Sequence, residues 1–386
     1  MRIAALAGVP AALAQALAVR GVAPARAEAS AEGCETLRLL VEDLAEDDAF
    51  ALFRAAGEGG VDCLSGSGWV VLEGTLAQLA GLARPGQAGL LPERLGEPLG
   101  RFLSGRREVV AGWRTARRTI ALERPCVMGI LNVTPDSFSD GGRLACVDDA
   151  VRAAAALREA GADVVDVGGE STRPDATDVD EGEELRRVVP VVRRVVEEVG
   201  VPVSVDTRRS GVAAEALAAG AEIVNDVSAL GYDAAMAGVV ARSRAGVVLM
   251  HMRGTPRTMD AQVCYGDVAV EVAAELGARR DAACAAGVAR ECIVLDPGIG
   301  FAKTTEQSYQ LVNRLETLAA LGQPVLVGPS RKRFLGAATG RPVHQRDAAT
   351  AAVCVAALLR GARLFRVHDV AAVREALAVA AAVLAG

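Results

Sequence analysis

Residues 127–142 read VMGILNVTPDSFSDGG: an apolar run that breaks off at Asn132 into Thr, Pro, Asp, Ser and Gly holding a single phenylalanine, Phe138. The first half has the short, apolar character of a strand buried on both faces. The second half has the composition of an exposed turn-rich loop. The same hand-over from core strand to polar loop recurs along the rest of the chain. Short β-branched runs follow one another at Val127–Val133, Val164–Gly168, Val203–Val205, Glu222–Val224, Gly246–Met250, Ile293–Leu295, Pro324–Val327 and Leu364–Val367. Ala-rich stretches long enough for crossover helices lie between most of them, among them 148–160, 183–199, 211–219 and 268–287. Eight strand-then-helix units over about 270 residues predict an α/β fold, specifically a (β/α)8 TIM barrel. The rival is an open doubly wound sheet. The count of eight weighs against it, as does the lack of a G-x-G-x-x-G turn after any strand.

Hydrophobic residues make up 51% of the 386, but aromatics only 3%, so the core must be built from Ala, Val and Leu. A net charge of −6 gives no electrostatic footprint for nucleic acid or an anionic membrane. Any anionic substrate must therefore meet a local basic cluster. The eight cysteines (34, 63, 126, 146, 264, 284, 292 and 354) form no C-x-x-C pair. That predicts reduced thiols in a cytoplasmic protein and no zinc site. No run approaches the ~18 apolar residues of a membrane span. The N-terminal MRIAALAGVPAALAQALAVRGVAPARAEA mimics an export signal, but Pro10, Gln15 and Arg20 interrupt it, and it reads as an amphipathic helix of a small domain. Helix-like stretches at 46–56, 75–83 and 92–104, with strand-like runs at 36–41 and 68–72, make residues 1–112 a small α+β domain preceding a barrel at 113–386. No motif in residues 1–112 discloses a function.

In such a barrel the chemistry gathers where strands end and the following loops form one face. The predicted strands end, in order, at Asn132, at Gly169–Pro174, at Asp206-Thr207-Arg208, at Asn225-Asp226, at His251-Met252-Arg253, at Asp296-Pro297-Gly298, at Gly328–Lys332 and at Arg366-Val367-His368-Asp369. Strand ends are often simply wet. Yet carboxylates, amides, Arg and His at the last buried turn would each cost a few kcal/mol if uncompensated, so a convergent site is the better reading. Arg366 and His368, two apart, share one face of a strand. With Arg331 and Lys332 they supply either an anion-holding cluster or a solvated basic patch. The Ser330-Arg331-Lys332 run also opens a predicted helix, whose free N–H groups favour a negative ligand. Asp206 and Asp296 could be a general acid and base, metal ligands, or acceptors for the donor edge of a nitrogen heterocycle; Asn225 favours the last. His251 reads as a structural residue or a member of the site. Nucleophilic catalysis finds no G-x-S-x-G elbow and no strand-end Cys with a His partner.

The strings MGILNVTPDSFSDGG (128–142), DVVDVGGESTRP (163–174), SVDTR (204–208), IVNDV (223–227), MHMRGTPRTM (250–259), LDPGIGFAKT (295–304), GPSRKRFLG (328–336) and RVHDV (366–370) resemble the dihydropteroate synthase family. The resemblance covers the chain from about residue 113 onward, one motif per strand in the family's order. It implies a (β/α)8 barrel that joins 6-hydroxymethyl-7,8-dihydropterin diphosphate to p-aminobenzoate, giving 7,8-dihydropteroate and diphosphate in folate synthesis, with Mg²⁺ assisting diphosphate departure and sulfonamides competing for the aminobenzoate position. By the same resemblance Asn132 would hold Mg²⁺ near the diphosphate. Asp206, Asn225, Asp296 and Lys332 would bind the pterin, with Met250 packed against it, and Arg366 and His368 would grip the diphosphate. Gly328 lines the same pocket. Phe301, Ser330 and Lys332 would shape the aminobenzoate pocket. Asp136 and Phe138 would belong to a first mobile loop; Thr172, Arg173 and Pro174 would form a second. A hairpin near Thr115–Leu122 would cap the barrel floor, and the apolar last helix, 370–384, would form a homodimer interface or merely close the barrel. Asp175, Pro329, Ile299 and Ala302 depart from the usual pattern, the first two near the aminobenzoate pocket. A pterin-binding methyltransferase, the alternative within this barrel class, has no need of a diphosphate cradle. A non-catalytic paralogue would be expected to lack Asn132, Arg173, Lys332 or His368, and all four are present.

Overall fold

The computed structural model describes residues 36–41, 44–83, 91–107, 111–133, 143–170 and 179–385, and the chain separates into two compact units, 1–108 and 109–386. In the first, β1 (Thr36–Val41) and β2 (Asp62–Gly66) flank β3 (Trp69–Thr75) in an antiparallel sheet. Three helices accompany it, α1 (Glu46–Glu58), α2 (Leu76–Ala83) and α3 (Glu93–Arg107). Leu52, Ala56, Val70, Leu72, Leu79 and Leu82 form the middle of its core. Strand β2 is absent from the sequence reading because DCLSG has little apolar content. Its signal is the turn that follows, where Gly68 takes a φ of 77° that other residues rarely adopt.

The second unit opens with the hairpin β4 (Gly112–Arg114) and β5 (Thr119–Ala121). Eight parallel strands follow: β6 (Cys126–Asn132), β7 (Val164–Gly168), β8 (Val203–Asp206), β9 (Ile223–Asp226), β10 (Gly246–Met250), β11 (Ile293–Asp296), β12 (Leu326–Val327) and β13 (Leu364–Val367). Their order is β11-β10-β9-β8-β7-β6-β13-β12, and a parallel bridge between Leu295 and Val325 joins the two ends. The barrel is thereby closed, as the count of eight runs predicts. Helices cross between successive strands, the longest being α4 (Arg143–Glu159), α5 (Glu181–Arg194), α6 (Ser210–Ala218), α7 (Met236–Ser243), α8 (Val268–Ala285), α9 (Thr305–Asn313), α12 (Asp347–Leu359) and α13 (Val370–Ala385), with the shorter α10 (Glu316–Ala319) and α11 (Arg333–Thr339) among them.

Alternation along the strands divides the barrel into an outer and an inner core. Val165, Val167, Val203, Val205, Val224, Val247, Leu249 and Phe365 pack outward against the helices. Cys126, Met128, Val164, Ile223, Val248, Val294, Leu326 and Leu364 point inward at the N-terminal end. Trp113 of β4, fully buried, plugs that end and donates its indole N–H to the Cys292 carbonyl at 2.8 Å. The hairpin is pinned beside it: Thr115 and Arg118 both donate to the buried Glu222 carboxylate. Two residues further along each strand, the inward positions change character. They are Ile130, Asp166, Asp206, Asn225, Met250, Asp296, Gly328 and Arg366. The apolar layer is the floor on which this polar layer stands. Cys63, Cys126, Cys264, Cys284, Cys292 and Cys354 carry free thiols, and among the described residues no helix is long and apolar enough to cross a membrane.

Candidate active site

At the centre of the polar layer Arg366 bridges two carboxylates. Its Nε donates to Asp166 Oδ2 at 2.6 Å and its Nη2 to Asp206 Oδ2 at 2.7 Å. The Asn225 side-chain amide donates to the same Asp166 Oδ2 at 2.9 Å. Asp166 is fully buried, and its second oxygen, Oδ1, has no hydrogen-bond partner. Asp166 is thus spent inside the protein, where its Oδ2 fixes both the Arg366 guanidinium and the Asn225 amide. Burial pushes Asp206 up to about 7, against the opposing pull of Arg366. Burial works to lower the Arg366 guanidinium, yet Asp166 and Asp206 hold it above its ordinary value.

Across the mouth stands a second group. Asp296, ending β11, is buried, accepts from the Gly298 N–H at 2.7 Å, and is raised by that burial. Lys332 reaches over from the start of α11. Its Nζ donates to the Ile299 carbonyl and lies 4.5 Å from the centre of the Phe301 ring. Burial brings this ammonium down to about 8 while Asp296 supports its charge. The loop between them is tightly wound: Gly298, Gly300 and Ala302 all have positive φ. Gly298 is obligatory, since a Cβ there would stand 1.9 Å from the His251 carbonyl oxygen.

His368 and Ser330 meet beside Arg366. The Ser330 hydroxyl lies 2.9 Å from His368 Nδ1 and accepts from the His368 backbone N–H at 3.2 Å. Arg331 does not join this cluster; it is turned onto Asp347 in a two-point ion pair with both bonds at 2.7 Å. Met250 is buried at the end of β10, and Gly328 places its Cα side against Arg366. Asn132 ends β6 with an exposed side chain. No group of three or more His, Cys, Asp and Glu side chains is placed to hold a metal among the described residues. A hard dication here would thus take an oxygen from Asn132 and complete its shell with substrate oxygens and water, as Mg²⁺ commonly does. Asp136, Phe138, Thr172, Arg173, Pro174 and Asp175 lie outside the described residues.

The chain carrying these residues matches known proteins in sequence and fold. The family model "Pterin binding enzyme" matches residues 128–368. A dihydropteroate synthase of Mycobacterium leprae is 50% identical over 264 residues, covering 66% of this chain and 92% of that protein. A solved Xanthomonas albilineans dihydropteroate synthase with 4-aminobenzoic acid is 48% identical with a TM-score of 0.68, covering 72% of this chain and 99% of the other. The same enzyme in complex with 7,8-dihydropteroate is 46% identical with a TM-score of 0.65, covering 71% and 99%. The chain belongs to the dihydropteroate synthase family. It is accordingly a transferase, as the resemblance implies.

Within that family frame, two polar residues stand out that the strand-end reading passes over. Asp166 sits inside DVVDVGG, one position too deep to look like a strand end. Its signal is the alternation Val164-Asp166-Gly168, which sets it on the inward face with Asp206 and Asn225. The other is Lys303, nearly fully buried behind the 298–302 loop. Its Nζ lies 2.9 Å from His251 Nδ1 and donates to the Phe301 carbonyl at 2.9 Å. Burial brings Lys303 down to about 7. His251, which the sequence leaves open, is buried between Lys303 and Glu275, with its Nε2 2.9 Å from the Glu275 carboxylate. Burial, then Lys303, lowers it to about 4, so the ring is neutral.

Proposed function

We propose that the barrel mouth takes a dihydropterin diphosphate and p-aminobenzoate and joins them with loss of diphosphate. The observation that carries this reading is the acceptor set formed by Asp206, Asn225 and Asp296. These three would accept from the N–H edge of a flat heterocycle, while the buried Asp166 braces Arg366 and Asn225 behind them. Met250 forms the apolar wall against which such a ring would pack, and Lys332 donates from the other side. Arg366 spends two of its five N–H donors on Asp166 and Asp206, so it can both brace the pterin acceptors and reach the first phosphate. His368, oriented by Ser330, with Gly328 leaving room beside it, would hold the diphosphate.

Phe301, Ser330 and Lys332 would border the aminobenzoate, with Thr172, Arg173 and Pro174 completing that pocket and Asp136 and Phe138 covering it. In the reaction the C–O bond between the pterin methylene and the diphosphate breaks with its electrons going to the leaving group. The aniline nitrogen forms the new C–N bond and gives up one proton. Mg²⁺, held by Asn132 and the diphosphate oxygens, would neutralise charge on the leaving group. Arg366 adds a preorganised positive donor, and His368 a hydrogen-bond donor, where that charge develops. We read the enzyme as a cytoplasmic homodimer, with the exposed Val379, Val383 and Leu384 of α13 at the interface, and with residues 1–112 appended to a self-sufficient barrel at 113–386. Purified protein should release diphosphate only when pterin diphosphate, p-aminobenzoate and Mg²⁺ are all supplied. No release with all three overturns the assignment.

A further inference from the structure

Lys303 makes no hydrogen bond to the acceptor cluster, although its charge and that of Asp296 support one another, and it is among the most thoroughly buried cations of the barrel. As an ammonium Lys303 can only donate, and in that state the contact with His251 Nδ1 at 2.9 Å puts the imidazole proton on Nε2, facing Glu275 at 2.9 Å. A second donor goes to the Phe301 carbonyl at 2.9 Å, and a third, at 3.5 Å, points to the His251 carbonyl. The outer end is anchored in turn. Glu275 Oε1 accepts from Arg253 Nε at 3.0 Å, and the Arg253 guanidinium stacks on Tyr265, 3.9 Å from its ring centre. A line of contacts thus runs from the half-exposed Glu275 of α8, through the buried His251 at the end of β10 and the buried Lys303, to the backbone of one residue of the 298–303 loop. That residue is Phe301, whose ring lies under Lys332 Nζ.

Three residues of this loop hold positive φ: Gly298 and Gly300 adopt it without strain, while Ala302 at 50° carries the strain of a side chain in that region. Such a turn keeps its shape only if the surroundings impose it. The Gly298 N–H on Asp296 and the Ile299 carbonyl under Lys332 hold its first half, and the Phe301 carbonyl on Lys303 holds its second. We propose that Lys303 is a positioning residue for the aminobenzoate pocket: through its bond to the Phe301 carbonyl, braced by His251 and Glu275, it sets the height and tilt of the Phe301 ring. The proposal rests on the assignment of Phe301 to that pocket, made above.

The test is steady-state kinetics in both substrates on Lys303→Met, Phe301→Ala and the double variant, with thermal melts. Lys303→Met should raise the aminobenzoate KM by about tenfold while the pterin diphosphate KM stays within about twofold, the split that marks loss of one substrate's binding. The double variant should have an aminobenzoate KM no higher than Phe301→Ala alone, because both changes remove one effect. Equal rises in both KM values, or no rise in either, overturn the proposal by making Lys303 a general structural residue. If Phe301→Ala leaves the aminobenzoate KM unchanged, the pocket assignment falls and the role of Lys303 with it. If Phe301→Ala raises that KM and Lys303→Met does not, only the role of Lys303 falls. Should Lys303→Met lack a cooperative melt, Lys303→Gln, which keeps a polar end but cannot span both acceptors, is held to the same outcomes.

Discussion

Arg366 and Asp166 are 200 positions apart in the chain and meet at 2.6 Å inside the barrel mouth. Through this contact the last strand braces the second, and the same Asp166 oxygen is shared with Asn225 of the fourth. The Arg366 guanidinium and the Asn225 amide are therefore each held in a fixed direction by one buried carboxylate. Such groups are prepared for a ligand before the ligand arrives, which is what makes electrostatic recognition effective in a site sheltered from water.

Replacing Asp166 with Asn should remove a charged acceptor while keeping the shape. A hydrogen bond to a charged group contributes about 1.5–3 kcal/mol. The KM for pterin diphosphate should thus rise about 10- to 100-fold, with the aminobenzoate KM little changed. Equal KM values for wild type and variant would mean that Asp166 does not brace the groups that hold the pterin.

Much of this site is legible in the sequence because the fold repeats one grammar. Asn132, Asp206, Asn225, Asp296, Arg366 and His368 each follow an apolar run, and that juxtaposition marks the end of a buried strand. Asp166 is hidden because valines surround it on both sides, so that only its two-residue phase with Asp206's strand reveals where it points. Lys303 is hidden for another reason: its partner His251 lies 52 residues earlier, and no local pattern joins them. The strand β2 escapes because an exposed edge strand needs few apolar residues. What is local in the chain can be read from it, and what depends on packing between distant segments needs the coordinates.

His368→Ala should weaken pterin diphosphate binding by about 10- to 100-fold and leave the diphosphate-free pterin bound nearly as before, because a hydrogen bond from the imidazole to a charged phosphate is lost. Ser330→Ala should act in the same direction but less strongly, since it removes only the hydroxyl that orients the ring from 2.9 Å. Calorimetric titration with the two pterins separates the effects. Equal weakening of both ligands would assign His368 a structural role.

The acid–base balance of the mouth predicts a bell-shaped pH profile for kcat/KM with pterin diphosphate. Asp206, pushed up to about 7 by burial, becomes protonated below that pH and then accepts poorly, so activity falls on the acid side. Lys332, brought down to about 8 by burial, loses its ammonium above that pH, so activity falls on the alkaline side. Stability of the unliganded barrel has its own sign. A carboxylate with a raised folded pKa favours folding while only the folded state holds the proton, so this contribution is lost as pH rises from about 4 through about 7. Lys332→Arg should carry the alkaline limb well above pH 9, because a guanidinium stays charged there. An unmoved limb would exclude Lys332 as its origin.

The boundary between the two units offers a sharper test than a simple truncation. Trp113 lies only five residues beyond Glu108, and with Cys126, Met128, Val248 and Leu326 it fills the closed end of the barrel. Deleting residues 1–108 keeps this plug, and the remaining chain should synthesise dihydropteroate with kcat within about threefold of the full protein, given that the barrel has its own core. Deleting residues 1–114 removes the plug and leaves the Cys292 carbonyl without its indole donor. Loss of so large a buried side chain costs about 3–5 kcal/mol, so this shorter chain should melt many degrees lower even if its mouth is intact. Trp113→Ala in the full chain should reproduce that loss without removing anything else. If the 1–108 deletion alone abolishes synthesis, residues 1–108 are part of the catalytic body and not an appendage to it.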